Sequence, residues 1–305
     1  MNFDIVSSFD IRISNFNTMN KQLFVLTVFI VVALVFMVIW QETKFNDGKL
    51  HIVFCDVGQG DAIFIRTPGK TDILLDGGPD RKVLDCLAAH MPFWDRAIEL
   101  MLLSHPHQDH FAGLIDVLGS YQVVSFATEK LRNDTAGYRE LEEQLDHVGL
   151  KTSYLTSGNV VRADHGVSIS VVAPSREFLE KTSVNGEIQE SEGFGTLILR
   201  LSYGEFSLLL TSDAQILQLR EAGDISVDVL QVPHHGSRFG IDRETLDKLA
   251  PAAAIISVGK NRYGHPTDEI LSMLKGKEIS ILRTDQDGEI EIVSDGKTWS
   301  FIQRL

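Results

Sequence analysis

From Leu23 to Trp40 the chain is apolar at every position, with Thr27 the one mild exception. A run of this length fits a bilayer core, which a helix crosses with about 20 apolar residues. It divides the chain into unequal parts: a short segment at 1–22, a transmembrane anchor at 23–40, a linker at 41–48 and a domain at 49–305. Residues 1–20 read as polar and irregular. A cleaved signal peptide would need small residues in an A-x-A pattern after the apolar stretch. The run instead ends Met37-Val38-Ile39-Trp40-Gln41-Glu42, so an uncleaved anchor with Trp40 at the interface is expected. Lys21 flanks one side closely with Arg12 further out, and Lys44 and Lys49 flank the other. That bias is nearly balanced. The expected orientation is a single-pass signal-anchor with its short end inside and the domain outside the cytoplasm.

The formal net charge is −14. In the first stretch Asp4, Asp10 and Glu42 balance Arg12, Lys21 and Lys44, so the acidity belongs to the domain. Such a surface does not attract nucleic acid at long range, although a local basic groove is compatible with it. Cys55 and Cys86 are the two cysteines. They do not form a CxxC pair, so a thiolate zinc site is not expected. Two buried thiols are expected in preference to a disulfide.

Short β-rich runs at Leu50–Cys55, Ala62–Arg66 and Thr71–Leu75 imply antiparallel pairing. A helix at Lys82–His90 and a fully apolar strand at Ile98–Leu103 follow. A hairpin turns at Tyr203-Gly204, strands near 227–232 and 253–258 each precede a helix, and three strands close the chain. Two sheets with helices on their outer faces satisfy this order.

The strongest chemical signal is Ser104-His105-Pro106-His107-Gln108-Asp109-His110, directly after the apolar strand. His105 and His107, two apart in an extended turn, can face one ion. Asp109 and His110 open a helix and can turn toward a second. Imidazole with carboxylate suits Zn²⁺ and also Mn²⁺ or Fe.

This His-x-His-x-Asp-His motif resembles the signature of the metallo-β-lactamase superfamily. Leu74-Leu75-Asp76-Gly77-Gly78 resembles its first motif, and Thr211-Ser212-Asp213-Ala214 the motif of its metal-bridging Asp. A more specific resemblance is to the hydrolase domain of ComEC-type competence proteins. It rests on Asp56-Val57-Gly58-Gln59-Gly60-Asp61, on Val232-Pro233-His234-His235-Gly236-Ser237, on Tyr263-Gly264-His265-Pro266, and on Arg283-Thr284-Asp285. The match runs from residue 50 to about 290.

The resemblance implies an αββα sandwich and two divalent metal ions, Zn or Mn. His105 and His107 would hold one ion. Asp109, His110 and His265 would hold the other, and Asp213 would bridge them. Asp76 would brace the ligand loop. His235 or His234 would contact substrate or assist proton transfer, beside Ser237. Asp56, Gln59 and Asp61 would shape the adjoining loop. One departure stands out: no His occurs between His165 and His234, so the first position is short of a ligand. Glu192 could substitute, but a solvated loop Glu is the expected reading. His165 reads as a hairpin-turn residue and not a ligand, and His51, His90 and His147 as structural or solvated.

The implied activity is a membrane-anchored phosphodiesterase or nuclease acting on DNA through a metal-activated water, with Asp109 or Asp213 orienting the water. Arg238, Lys260 and Arg262 could contact phosphate. Hydrolysis of a small ester, lactone, thioester or lactam is the alternative, since fold does not fix substrate, and the acidic domain favours it. A degenerate binding domain is the non-enzymatic reading.

Overall fold

The structure is a computed structural model that describes residues 7–183, 186, 195–221, 223 and 225–304. Two compact units divide it, Met1–Asp47 and Gly48–Leu305.

The first unit is one helix, Ser7–Phe45. Asn20–Phe45 within it is long and apolar enough to cross a membrane, its most apolar 18-residue window having a mean hydropathy of 3.1. Thr27 Oγ1 donates to Leu23 O at 2.9 Å, so its hydroxyl is satisfied inside the helix. The helix overruns the apolar run at both ends. The irregular segment expected before residue 20 is helical from Ser7, and most of the expected linker is helix too. The reason is composition: neither Gly nor Pro occurs between Ser7 and Phe45, so propagation meets no breaker. The helix stops just before Gly48, which takes φ 77°.

The second unit is built on two large sheets. The first runs, edge to edge, Trp299–Arg304, Glu289–Ser294, Leu50–Phe54, Ile63–Arg66, Asp72–Leu75, Leu100–Leu103, Phe126–Thr128 and Thr152–Tyr154. The second runs Ser280–Arg283, Ala253–Ile256, Val229–Gln231, Phe206–Leu210, Ile198–Tyr203, Ser168–Ala173 and Val160–Arg162. Strand alternation sorts side chains between layers. Ile52 and Phe54 join Leu199, Leu208 and Ile255 in a core between the sheets. Val53, pointing the other way, packs with Leu87, Phe111 and Leu141 of helices Lys82–His90, Gln108–Ser120 and Ala136–His147. Leu209, Leu230 and Ala254 likewise meet Leu219, Leu246 and Leu274 of the helices outside the second sheet. The result is the αββα order. Each fully buried Leu, Ile or Phe contributes about 1.5–3 kcal/mol to it.

Two local expectations change. The Ile98–Leu103 strand is interrupted at Glu99, whose Oε2 accepts from Asp72 N at 2.7 Å, and Ala97–Ile98 pairs instead with Gln122–Val123. Cys55 and Cys86, expected as free thiols, form a disulfide with Cα atoms 5.8 Å apart. The end of the Leu50–Phe54 strand and the inner face of helix Lys82–His90 converge there, a proximity that spacing alone does not reveal.

Candidate metal centre

The side chains of interest come from the carboxyl ends of parallel strands. Asp72–Leu75 lies parallel to Leu100–Leu103 in the first sheet. Phe206–Leu210, Val229–Gln231 and Ala253–Ile256 are mutually parallel in the second. Asp76, Ser104-His105, Thr211–Asp213, His234-His235 and Ser257 are therefore brought toward one cleft, where loops carry function on a rigid scaffold.

Three groups of potential ligands meet there, each with its ligand atoms within 4.8 Å of one another: Asp109, His110, Asp213 and His235; His105, His107 and Asp213; Asp61, Asp76 and His110. Asp213 faces both sides. Its Oδ1 lies 3.4 Å from His110 Nε2 and from His235 Nε2. Its Oδ2 lies 3.7 Å from His105 Nε2 and 3.6 Å from His234 Nε2.

Outer partners fix the imidazoles. His110 Nδ1 lies 2.9 Å from Asp76 Oδ2, and His235 Nδ1 donates to Ser257 O at 2.8 Å. Each contact places a proton on Nδ1 and leaves Nε2 as the free ligand atom. Asp76 in turn accepts from Ser104 N at 2.7 Å and from Ser104 Oγ at 2.6 Å. Gln231 links the two sheets: its Nε2 donates to Asp61 Oδ2 at 2.8 Å and its Oε1 accepts from Thr211 N and Ser212 N. His105 Nδ1 is ringed by the hydroxyls of Ser104, Thr196 and Ser212. The sequence assigns no role to Ser104, Thr196, Ser212, Gln231 or Ser257, although Ser104 and Ser212 lie within the motifs and Gln231 is a polar residue in an apolar Val-Leu-Gln-Val strand.

The electrostatics suit a cation. Burial pushes the His235 imidazole down, but Asp213, Asp109 and Asp61 outweigh it and raise it to about 9. Burial opposes protonation of His110 as well, and Asp213, Asp109 and Asp76 hold it well above its ordinary value. His105 goes the other way: burial first, then His110 and His107, hold it well below. Asp61 is raised to about 6, chiefly by burial. Buried atoms without a hydrogen-bond partner include His107 Nε2, His110 Nε2, His235 Nε2 and Asp213 Oδ1. Potential ligand atoms of this kind, left unpartnered and converging with carboxylates, fit divalent metal ions.

Other predicted residues lie around this centre. His265, expected beside Asp109 and His110, is not in their group; His235 occupies that place. The His265 ring stands 5.6 Å from that of His234 and 5.7 Å from that of Tyr263. Burial, then His234 and His235, lower its imidazole to about 4. Gln59 Oε1 accepts from Gly259 N at 3.3 Å. Asp56 is exposed and closes its own turn on Gly58 N. Ser237 is buried, its N–H donating to His234 O. Glu192 lies outside the described residues.

Two glycines are dictated by close approach. A Cβ on Gly60, at φ 138°, would sit 2.2 Å from Asp109 O. One on Gly236, at φ 86°, would sit 2.5 Å from Pro266 Cβ. His234 and His235 precede it at φ 50° and 56°, left-handed conformations that cost non-glycine residues about 1–3 kcal/mol each and gather at functional sites.

The profile of the Metallo-beta-lactamase superfamily matches residues 55–260. The chain belongs to the metallo-beta-lactamase superfamily. It is 27% identical over 268 residues to ComE operon protein 3 of Bacillus subtilis (strain 168), covering 81% of this chain and 33% of that protein. It is 27% identical over 248 residues to Recombination protein 2 of Haemophilus influenzae, covering 78% and 28%. Competence protein ComA of Neisseria gonorrhoeae is 25% identical over 257 residues, covering 80% and 32%. The chain thus spans about a third of the length of the curated relatives it matches. Among solved structures, the metallo-beta-lactamase fold protein YhfI from Bacillus subtilis superposes with a TM-score of 0.52 at 12% identity, covering 77% of this chain and 95% of that one. CmlA, a diiron beta-hydroxylase from Streptomyces venezuelae, superposes with a TM-score of 0.51 at 14% identity, covering 84% and 54%. This membership places the chain in a superfamily of metal-dependent hydrolases.

Proposed function

We propose that the protein is a membrane-anchored metal-dependent phosphodiesterase that cleaves DNA, its catalytic domain lying outside the cytoplasm. One observation carries the substrate class: the two loops that supply His234-His235 and His265 also bear an exposed rim of Arg238, Phe239, Lys260, Arg262 and Tyr263. Cations beside exposed rings suit a polyanion with stackable bases, and they lie on an otherwise acidic surface. Relatives named for competence and for recombination are in keeping with DNA. The Cys55–Cys86 disulfide supports an oxidising compartment.

In this reading His105 and His107 would hold one ion and Asp109, His110 and His235 the other, and Asp213 would serve both, its Oδ2 facing His105 and its Oδ1 facing His110 and His235. Bound ions supply Lewis acidity and a nucleophile at neutral pH. The chain's own groups do the rest. Asp76 and the Ser257 carbonyl keep His110 and His235 in the ligating tautomer. Asp109, part exposed at the mouth, orients the attacking water. His234, the more exposed of the pair at 29%, faces the cleft and contacts the phosphate or passes a proton to the leaving group. His265 and Tyr263 lead outward from it.

The test is cleavage by the full chain in detergent micelles, loaded separately with Zn²⁺ and Mn²⁺. Single-stranded DNA, double-stranded DNA, a simple phosphodiester, an ester and a lactone are offered beside an Asp109→Ala/His110→Ala control. Metal-dependent phosphodiester cleavage that the control lacks is expected. Turnover of the ester or lactone alone would replace this reading with small-molecule hydrolysis.

A further inference from the structure

A second set of ligand types lies apart from the His/Asp centre. Cys86 and His90 are one turn apart in helix Lys82–His90, so both project from the same face. Both are buried, at 2% and 4% exposure. Glu289 opens the neighbouring Glu289–Ser294 strand, and its Oε2 lies 3.0 Å from His90 Nε2. The ligand atoms of Cys86, His90 and Glu289 all lie within 4.8 Å of one another. Cys55 follows Phe54, which pairs with Ile290, so Cys55 and Glu289 emerge side by side. Its sulfur is bonded to that of Cys86 and stands outside the group of three while that bond is intact.

We propose that reduction of the Cys55–Cys86 disulfide uncovers a structural zinc site formed by Cys55, Cys86, His90 and Glu289. A dithiol reductant supplies the two electrons. Its thiolate attacks one sulfur, its second thiol displaces the mixed disulfide, and it leaves as a cyclic disulfide while both cysteines become thiols. Zinc then releases the two thiol protons and takes two thiolates, one imidazole and one carboxylate. That donor set fills four positions and leaves none open, the mark of a structural site. The burial of both cysteines and His90 argues against a freely exchanging surface ion.

Disulfide and zinc join the same two elements, the end of the Leu50–Phe54 strand and helix Lys82–His90. The chain from Cys55 runs directly into residues 56–61, where Asp61 lies 3.9 Å from His110 Nδ1 and 3.8 Å from His235 Nδ1. The staple therefore anchors the loop that backs the metal centre. Zinc serves that purpose whenever the thiols are reduced, as in a new chain that has not reached an oxidising compartment.

The test uses cobalt(II) as probe on the full chain in micelles. The His/Asp centre contains no sulfur, so sulfur-to-cobalt charge-transfer absorption reports on this site alone. The reduced protein should develop that absorption and the oxidised protein should not, and zinc should abolish it. It should persist in Asp213→Asn, and His90→Ala should weaken cobalt binding here by at least about tenfold. Cys55→Ser needs no reductant and should give about half the intensity from its single thiolate. Three results would overturn the proposal: no absorption from reduced protein with two titratable thiols, absorption indifferent to His90→Ala, or loss of circular dichroism on reduction with cobalt present.

Discussion

Replacing Asp76 by Asn changes one charge at nearly constant shape, and its effect follows from the hydrogen bonds. Oδ1 accepts from Ser104 N at 2.7 Å; Oδ2 accepts from Ser104 Oγ at 2.6 Å and faces His110 Nδ1 at 2.9 Å. An Asn keeps the first bond through its carbonyl but sets an NH₂ where Oδ2 was. That group donates, so His110 must turn Nδ1 into an acceptor and carry its proton on Nε2. Nε2 is the atom 3.4 Å from Asp213 Oδ1, and once protonated it cannot ligate. Loss of such an outer partner costs about 10–100-fold in metal affinity, or about 1.4–2.7 kcal/mol. The fold without metal should survive, because Ser104 N retains its acceptor. Zinc competition against a chromogenic chelator measures the affinity, and thermal unfolding in EDTA measures the fold. Unchanged zinc affinity in Asp76→Asn would refute the tautomer argument. So would an affinity loss that merely tracks loss of the folded protein.

Metal binding should depend on pH. His235 is held protonated up to about 9 when no ion competes, so zinc affinity should climb with pH at about tenfold per unit or more until that value. A flat titration by isothermal calorimetry over that range would contradict it. Gly60→Ala places a Cβ 2.2 Å from Asp109 O; urea melts should show a loss of more than about 2 kcal/mol, together with weaker metal binding. Asp164 supplies an acid-dependent contribution. Burial raises its carboxyl, yet donors from Thr67, Thr71 and Gly69 outweigh it and lower it to about 2. A lowered folded value means stability present above the unfolded value near 3.8 and lost as pH falls through about 2. Asp164→Asn should cost about 1–2 kcal/mol at neutral pH after allowance for solvent screening, and should flatten that part of the acid transition in urea melts.

Parts of this molecule were legible because the chemistry is local in sequence. His105, His107, Asp109 and His110 are nearly contiguous, and their placement between an apolar strand and a helix is what the sequence implies. The layered fold followed from strand alternation in segments such as Leu50–Phe54, whose odd and even residues enter different cores. Gln231 and Ser257 were illegible as site residues because their roles exist only where two sheets meet: Gln231 reaches Asp61 across 170 positions of chain. His235 and His265 follow adjacent parallel strands, and periodicity cannot say which ring turns inward. That choice is made by the left-handed backbone at His234 and His235 and by the tight contact of Gly236 with Pro266. The disulfide was hidden for the same reason, since Cys55 and Cys86 meet only when strand and helix pack.

Charge explains why the centre holds together as it does. Asp61, Asp76, Asp109 and Asp213 gather around the imidazoles, and Asp61, Asp76 and Asp213 are almost fully buried. Carboxylates removed from water are costly unless a cation accompanies them. Without metal, protons serve: His110 and His235, the imidazoles nearest the carboxylates, are held charged. Burial first, with neighbouring imidazoles behind it, drives His105 and His107 neutral against the opposing pull of Asp213. Four carboxylates call for about four positive charges, which two divalent ions supply while leaving every imidazole neutral and free to ligate. The split in histidine protonation is thus the pattern expected of the proposed pair of ions, with more carboxylate on the side of Asp109, His110 and His235 than on the side of His105 and His107. The side with more carboxylate should fill first, and the first position, short of a ligand, should be the weaker of the two.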